Sequence, residues 1–219
     1  MAGGWAGSQA LDTLQIYSGA SWALAPALPT ARYGACGVAH PGGYLLVAGG
    51  WGAALGERGR GTLEVQRKVE VYSVARGRWK ALEVGPEYRG HATGSCVLLP
   101  GPGPGSMAVL GGEVMAPDFS HQAQRSVSLL ELGGPRLGAT SVPGPGLAWQ
   151  PALGWVGGQL LVAGGRGSGG ASREVLSWGG RGQEGWEEVG VLEAARDQAA
   201  VVVLGWEWGA RCARTGGRE

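Results

Sequence analysis

The chain has 219 residues, enough for one substantial core, and carries 18 basic side chains against 17 acidic ones. That balance, with no dense basic patch and no uninterrupted apolar run of about 18 residues, excludes a nucleic-acid footprint and a transmembrane helix as organising features. Glycine supplies 45 residues and proline 12, without the three-residue period of collagen; ten Trp and runs such as Tyr44-Leu45-Leu46-Val47 oppose disorder and favour many tight turns between short strands.

In chain order, the first strand is expected at residues 14–17, ending on Tyr17, with a second opening at Trp22. An apolar strand then runs through Tyr44 into Gly49-Gly50. Val69-Glu70-Val71-Tyr72 alternates as a strand should, and residues 73–78 form a turn into Trp79. The clearest unit follows, with strands at 92–99, 106–111, 126–132 and 137–142. Its first turn is lengthened by Pro100-Gly101-Pro102-Gly103-Pro104-Gly105, and its second strand closes on Gly111-Gly112. Leu160-Leu161-Val162-Ala163 closes on Gly164-Gly165, Trp178 precedes Trp186, and a last apolar strand is expected at 199–203.

These landmarks repeat. Trp22, Trp79 and Trp186 each have an Arg ten residues on, at Arg32, Arg89 and Arg196; the third copy has Leu137 and Leu147 at these places, and Leu130 where a Tyr is expected. Each unit holds four short strands and shows no helical period. Four-stranded sheets with two apolar faces hide both by stacking radially, so the expected fold is all-β: a β-propeller of four-stranded antiparallel blades, about four in number and incomplete if its ends do not meet. A β-sandwich is the alternative. The organisation expected is an N-terminal tail over 1–13, propeller repeats over 14–205, and a degenerate final strand or C-terminal tail over 206–219.

The combination of Tyr, Trp, Arg and an apolar strand ending in Gly-Gly resembles the kelch repeat family over residues 14–205. The resemblance implies a propeller, commonly of six blades, whose members are mostly protein-interaction modules, some being adaptors for ubiquitin ligases and a minority enzymes. It also implies structural roles for Tyr17, Trp22, Gly49, Gly50, Tyr72, Trp79, Gly111, Gly112, Gly164, Gly165, Trp178 and Trp186.

Candidate binding residues follow from position. Arg32, Arg89 and Arg196 are expected at equivalent places, either bonding carbonyls of a neighbouring blade or forming a ring of donors for an acidic ligand. The long loops 51–63 and 113–125 add Arg58, Met115, Phe119 and His121. His91 is read as a packing residue, and Asp197 as a partner for Arg196 or another residue at the ring's inner end. His40, His91 and His121 sit at different phases of the repeat, so neither a metal nor a cofactor is expected. Cys36, Cys96 and Cys212 are odd in number and widely spaced, which opposes a disulfide scaffold; with no basic, apolar leader after Met1, a reducing cytoplasm, with the nucleus as alternative, is the expected compartment.

Without a nucleophile elbow or a zinc-protease motif, the reading is a protein-interaction module or scaffold, serving substrate recognition in a larger assembly, and more a non-enzyme than an enzyme. Its partner would be a protein or peptide, with no nucleic acid and no membrane, and it would form a homo-oligomer if the propeller is open. The alternative is a propeller enzyme acting on a small molecule or glycan.

Overall fold

The computed structural model describes residues 1–54, 62–101, 103–116, 120–134, 136–147, 149–179 and 185–199. Arg58, Phe119, Cys212, the expected strand over 200–203 and the segment 206–219 lie outside the described residues.

Among the described residues, all regular elements are strands. The first sheet has the order β1 (Ala2–Ala6), β2 (Gln9–Tyr17) and β3 (Trp22–Ala25). The second blade runs β4 (Arg32–His40), β5 (Tyr44–Ala54), β7 (Val69–Ser73) and β8 (Arg78–Leu82), with β6 (Thr62–Val65) folded back on the end of β5. The third is β9 (Ser95–Leu99), β10 (Ser106–Leu110), β13 (Ser126–Glu131) and β14 (Gly138–Pro143), and carries the hairpin β11 (Glu113–Met115) and β12 (His121–Ala123). The fourth is β15 (Ala152–Val156), β16 (Gln159–Ala163), β19 (Glu174–Trp178) and β20 (Glu187–Val191), with the short pair β17 (Arg166–Gly167) and β18 (Gly170–Ala171). Neighbours in every sheet are antiparallel and follow chain order, as short hairpin connections require. This is the expected all-β arrangement of four-stranded blades. The stretch 1–13, expected as a tail, holds β1 and the start of β2.

The two-residue alternation of strands explains why blades stack. In β10, Met107 and Val109 join a core with Leu46, Val69 and Leu137 at the junction with the second blade. Ala108 and Leu110, on the other face, join Leu153, Leu160 and Val162 at the junction with the fourth. A third cluster, with Leu14, Leu28, Val47 and Tyr72, seals the first sheet to the second blade. Each fully buried side chain of this kind contributes about 1.5–3 kcal/mol, so the faces that no lone sheet could hide become the main source of stability.

The repeated aromatics lock these junctions from outside. Tyr17 faces Trp22, Tyr72 faces Trp79 and Trp178 faces Trp186, with ring centroids 5.2, 5.2 and 6.2 Å apart. The Trp79 indole N–H donates to the Pro26 carbonyl at 2.7 Å, and Trp186 to Pro143 at 3.0 Å, each reaching the end of the preceding blade. Trp22, at the same place in the first sheet, is exposed.

The cysteine expectation is corrected. Cys36 and Cys96 form a disulfide between β4 and β9, the first strands of adjacent blades, with Cα atoms 5.7 Å apart. Sixty residues separate them in sequence, but the repeat places them side by side.

Candidate functional site

The second, third and fourth blades are entered through four-residue segments, Arg32-Tyr33-Gly34-Ala35, His91-Ala92-Thr93-Gly94, and residue 148 with Trp149-Gln150-Pro151, and a matching segment, Arg196-Asp197-Gln198-Ala199, follows the fourth blade. The third residue has positive φ in all four: 62° at Gly34, 58° at Thr93, 46° at Gln150 and 55° at Gln198. The Thr93 N–H donates to Gly34 O at 2.7 Å and the Gln198 N–H to Gln150 O at 3.1 Å, linking one entry to the next. The Gly50 N–H donates to His91 O and the Gly165 N–H to Arg196 O, both at 2.8 Å.

These bonds set the register between blades and correct the expected ring of arginines. The residue equivalent to Arg32 is His91, twelve residues after Trp79, and not Arg89. Arg32 is buried: Nη1 donates to Gly49 O at 3.0 Å, and Nη2 lies 2.7 Å from Glu70 Oε1. Burial lowers the guanidinium pKa, and Glu70 opposes that. His91 is also buried. Its Nδ1–H donates to Gly111 O at 2.6 Å and its Nε2 meets the Ser128 hydroxyl at 2.8 Å. Burial pushes its pKa down from 6.5 to about 4, so near neutrality the ring is uncharged and Nε2 accepts from Ser128. Both residues thus tie the first glycine of the double-glycine strand to the third strand, where Glu70 pairs with Val47 and Ser128 with Val109. Tyr88, buried and stacked on His91 at 5.6 Å, fills the space between, and burial raises its pKa as well. A group closed off in this way cannot meet a ligand. Arg89 and Arg196 are exposed. Met115 and His121 stand opposite each other in the backbone register of β11 and β12.

The residues that do come together at the surface are others. The second residue of each entry segment, at Tyr33, Ala92, Trp149 and Asp197, meets the residue that follows the double glycine of the preceding blade. Trp5 packs on Tyr33 with centroids at 4.8 Å, and Trp51 packs with Ala92. The Trp149 indole N–H donates to Glu113 Oε1 at 3.1 Å, and Arg166 Nε donates to Asp197 Oδ2 at 2.6 Å. Within blades the same residues pair again, Tyr33 with Trp51, Ala92 with Glu113 and Trp149 with Arg166. One row therefore crosses four blades, aromatic at its start and turning polar at Glu113, Trp149, Arg166 and Asp197. Trp51 and Ala92 are buried, whereas Glu113, Trp149 and Asp197 are half-buried and the Arg166 side chain is 52% exposed. Asp197, expected to pair with Arg196 or another residue at the inner end, is held by Arg166.

The polar end offers an indole face, two carboxylates and a guanidinium in sequence. Such a set can stack on a ring and exchange hydrogen bonds with hydroxyls. Among the described residues, no three His, Cys, Asp or Glu side chains converge as a metal site, and no helix is long and apolar enough to cross a membrane. Sequence reasoning missed Glu113, Trp149 and Arg166, although one signal was present: each double glycine is followed by a large or charged residue.

No protein-family model and no curated protein matches this sequence. A solved structure, that of YjhT, shares its fold with a TM-score of 0.63 at 13% identity, over 88% of this chain and 65% of that one. The chain thus has a β-propeller-like fold related to that of YjhT, and spans about two-thirds of that structure's length. Two expectations are corrected by this. The specific kelch assignment gives way to the broader propeller fold. The expectation of a non-enzyme, drawn from the missing catalytic motifs as well as from the kelch resemblance, is withdrawn, the fold likeness falling on YjhT.

Proposed function

We propose that this chain is a propeller enzyme acting on a small polyhydroxylated molecule of the glycan class, taken at the row Glu113, Trp149, Arg166 and Asp197. The observation that carries the reading is the juxtaposition of Trp149 with Glu113 and of Arg166 with Asp197 across consecutive blade entries. Sugar rings present apolar C–H faces that stack on an indole and hydroxyls that need carboxylate and guanidinium partners. Carboxylates are also the groups that give and take protons in reactions at sugar oxygens. Glu113 and Asp197 fill that role here, Arg166 positions Asp197, and Trp149 both forms the platform and orients Glu113.

The test is turnover of a panel of free mono- and disaccharides, followed by proton NMR of their anomeric signals. Conversion by the wild type is expected, falling by about 100-fold or more in Glu113→Gln and Asp197→Asn. Retained melting temperature in both variants separates loss of chemistry from loss of fold. Binding of a sugar without conversion of any member of the panel would overturn the enzymatic reading, and undiminished turnover in both variants would overturn the site.

A further inference from the structure

We infer that the Cys36–Cys96 bond is a site of covalent modification by a compact thiol, which enters between the first sheet and the second blade and forms a mixed disulfide on Cys36. Both cysteines are half-buried: they pack at the rim of the core shared by the second and third blades, and part of each stays open to solvent. Two cavities reach them. One, of about 220 Å³, lies between β1 and β4; Ala2, Cys36, Gly37 and Leu45 line it, and Cys96 is not among its walls. The other, of about 250 Å³, borders both cysteines and runs on to Pro151, Ala152 and Leu153 of the fourth blade.

The stereochemistry of exchange selects between them. A thiolate attacks one sulfur in line with the S–S bond, from the side opposite the sulfur that leaves. β1, β4, β9 and β15 are neighbours in that order. The line from Cys96 on β9 through Cys36 on β4 therefore continues toward β1, into the cavity that Cys36 borders without Cys96. The opposite approach, to Cys96, comes from the side of Pro151, Ala152 and Leu153, which are buried, whereas Gly37 is exposed and Ala2 and Leu45 are half-buried. Cys36 is the sulfur attacked and Cys96 the sulfur released.

The step balances with the thiol alone. The thiol gives up its proton to solvent, its sulfur bonds to Cys36 Sγ, and the electron pair of the broken S–S bond goes to Cys96 Sγ, which takes up a proton. A second thiol attacking the sulfur of the adduct frees Cys36 and leaves as the symmetric disulfide, so two thiols are oxidised as the protein's bond is reduced. The size of the cavity admits a small molecule and excludes the thiol of another folded protein. No ionisable side chain lines either cavity, so a charge on the thiol brings no advantage.

The probe is 2-mercaptoethanol, added without denaturant to the full chain carrying Cys212→Ser, so that only the bonded pair reports. Samples are quenched with acid at early times and their peptides weighed. The adduct is expected on Cys36 in about tenfold excess over Cys96, at a rate proportional to thiol concentration and unchanged by urea below the unfolding transition. Ala2→Leu narrows the entry and should slow the reaction about tenfold, with a melting curve to confirm its fold. If that variant does not fold, the position of the adduct and the urea dependence decide. A rate that climbs with urea as unfolding does, an adduct mainly on Cys96, no reaction in the folded protein, or an unslowed reaction in folded Ala2→Leu would overturn the proposal.

Discussion

Arg32 and His91 occupy one structural position and solve one problem with different chemistry. Both reach the carbonyl of a first glycine, at Gly49 and Gly111, and both continue to the third strand. The guanidinium needs a counter-charge there and finds Glu70; the neutral imidazole needs only a hydroxyl and finds Ser128. A buried ion pair brings little net stability, yet removal of one partner strands the other charge in a place without water. For His91 the consequence is a dependence on pH. Its folded pKa, near 4, lies below the ordinary 6.5, so the unfolded chain binds the proton more readily. Its contribution is complete above about pH 6.5 and is lost as pH falls toward 4, a loss of about 3 kcal/mol. Urea unfolding across this range should show that decline, and histidine NMR should show one imidazole titrating near 4. An imidazole at this site titrating near 6.5 would refute the account.

At the scale of the element, the double glycine is where one blade's second strand ends against the next blade's entry. Gly49 has φ of +66°, and a methyl group placed on it would collide with the His91 carbonyl. Gly43 has φ of +80° in the β4–β5 turn, but open space around it. Alanine at Gly43 meets backbone strain alone and should cost about 1 kcal/mol. Alanine at Gly49 must also displace a neighbouring backbone, and should cost about 3 kcal/mol or more. Urea midpoints of the two variants, at unchanged m-value, compare these directly; equal losses would mean that close packing between blades is not what the glycine serves. The pattern was legible in the sequence because only glycine fits, and the same demand recurs at Gly164-Gly165, where the second glycine's N–H donates to Arg196 O. It recurs at Gly3-Gly4 too, where a methyl group placed on Gly3 would collide with the Arg32 carbonyl.

At the scale of the molecule, the Cys36–Cys96 bond ties the second blade to the third through their first strands. Closing a loop of 60 residues restricts the unfolded chain by about 4 kcal/mol on the chain-entropy model. Reduction, or replacement of both cysteines by alanine, should lower stability by that order and narrow the gap between melting and ambient temperature; calorimetry of oxidised and reduced protein measures it. An unchanged transition would show that stacked blade faces alone set the stability.

The sequence by itself determined the all-β class, the four-stranded unit, the aromatic pairs that clamp the blades and the glycines between them. Those features depend on residue type and local alternation, which can be read along the chain. Only the tertiary structure decided that His91, not Arg89, matches Arg32, that Cys36 finds Cys96, and that Glu113, Trp149, Arg166 and Asp197 form one row. The reason is that connections differ in length: ten residues separate Trp22 from Arg32, but twelve separate Trp79 from His91. Counting from one landmark therefore slips, while backbone bonds between blades select the residue that faces its neighbour. A site assembled from the entry of one blade and the strand end of another has no contiguous trace in the sequence.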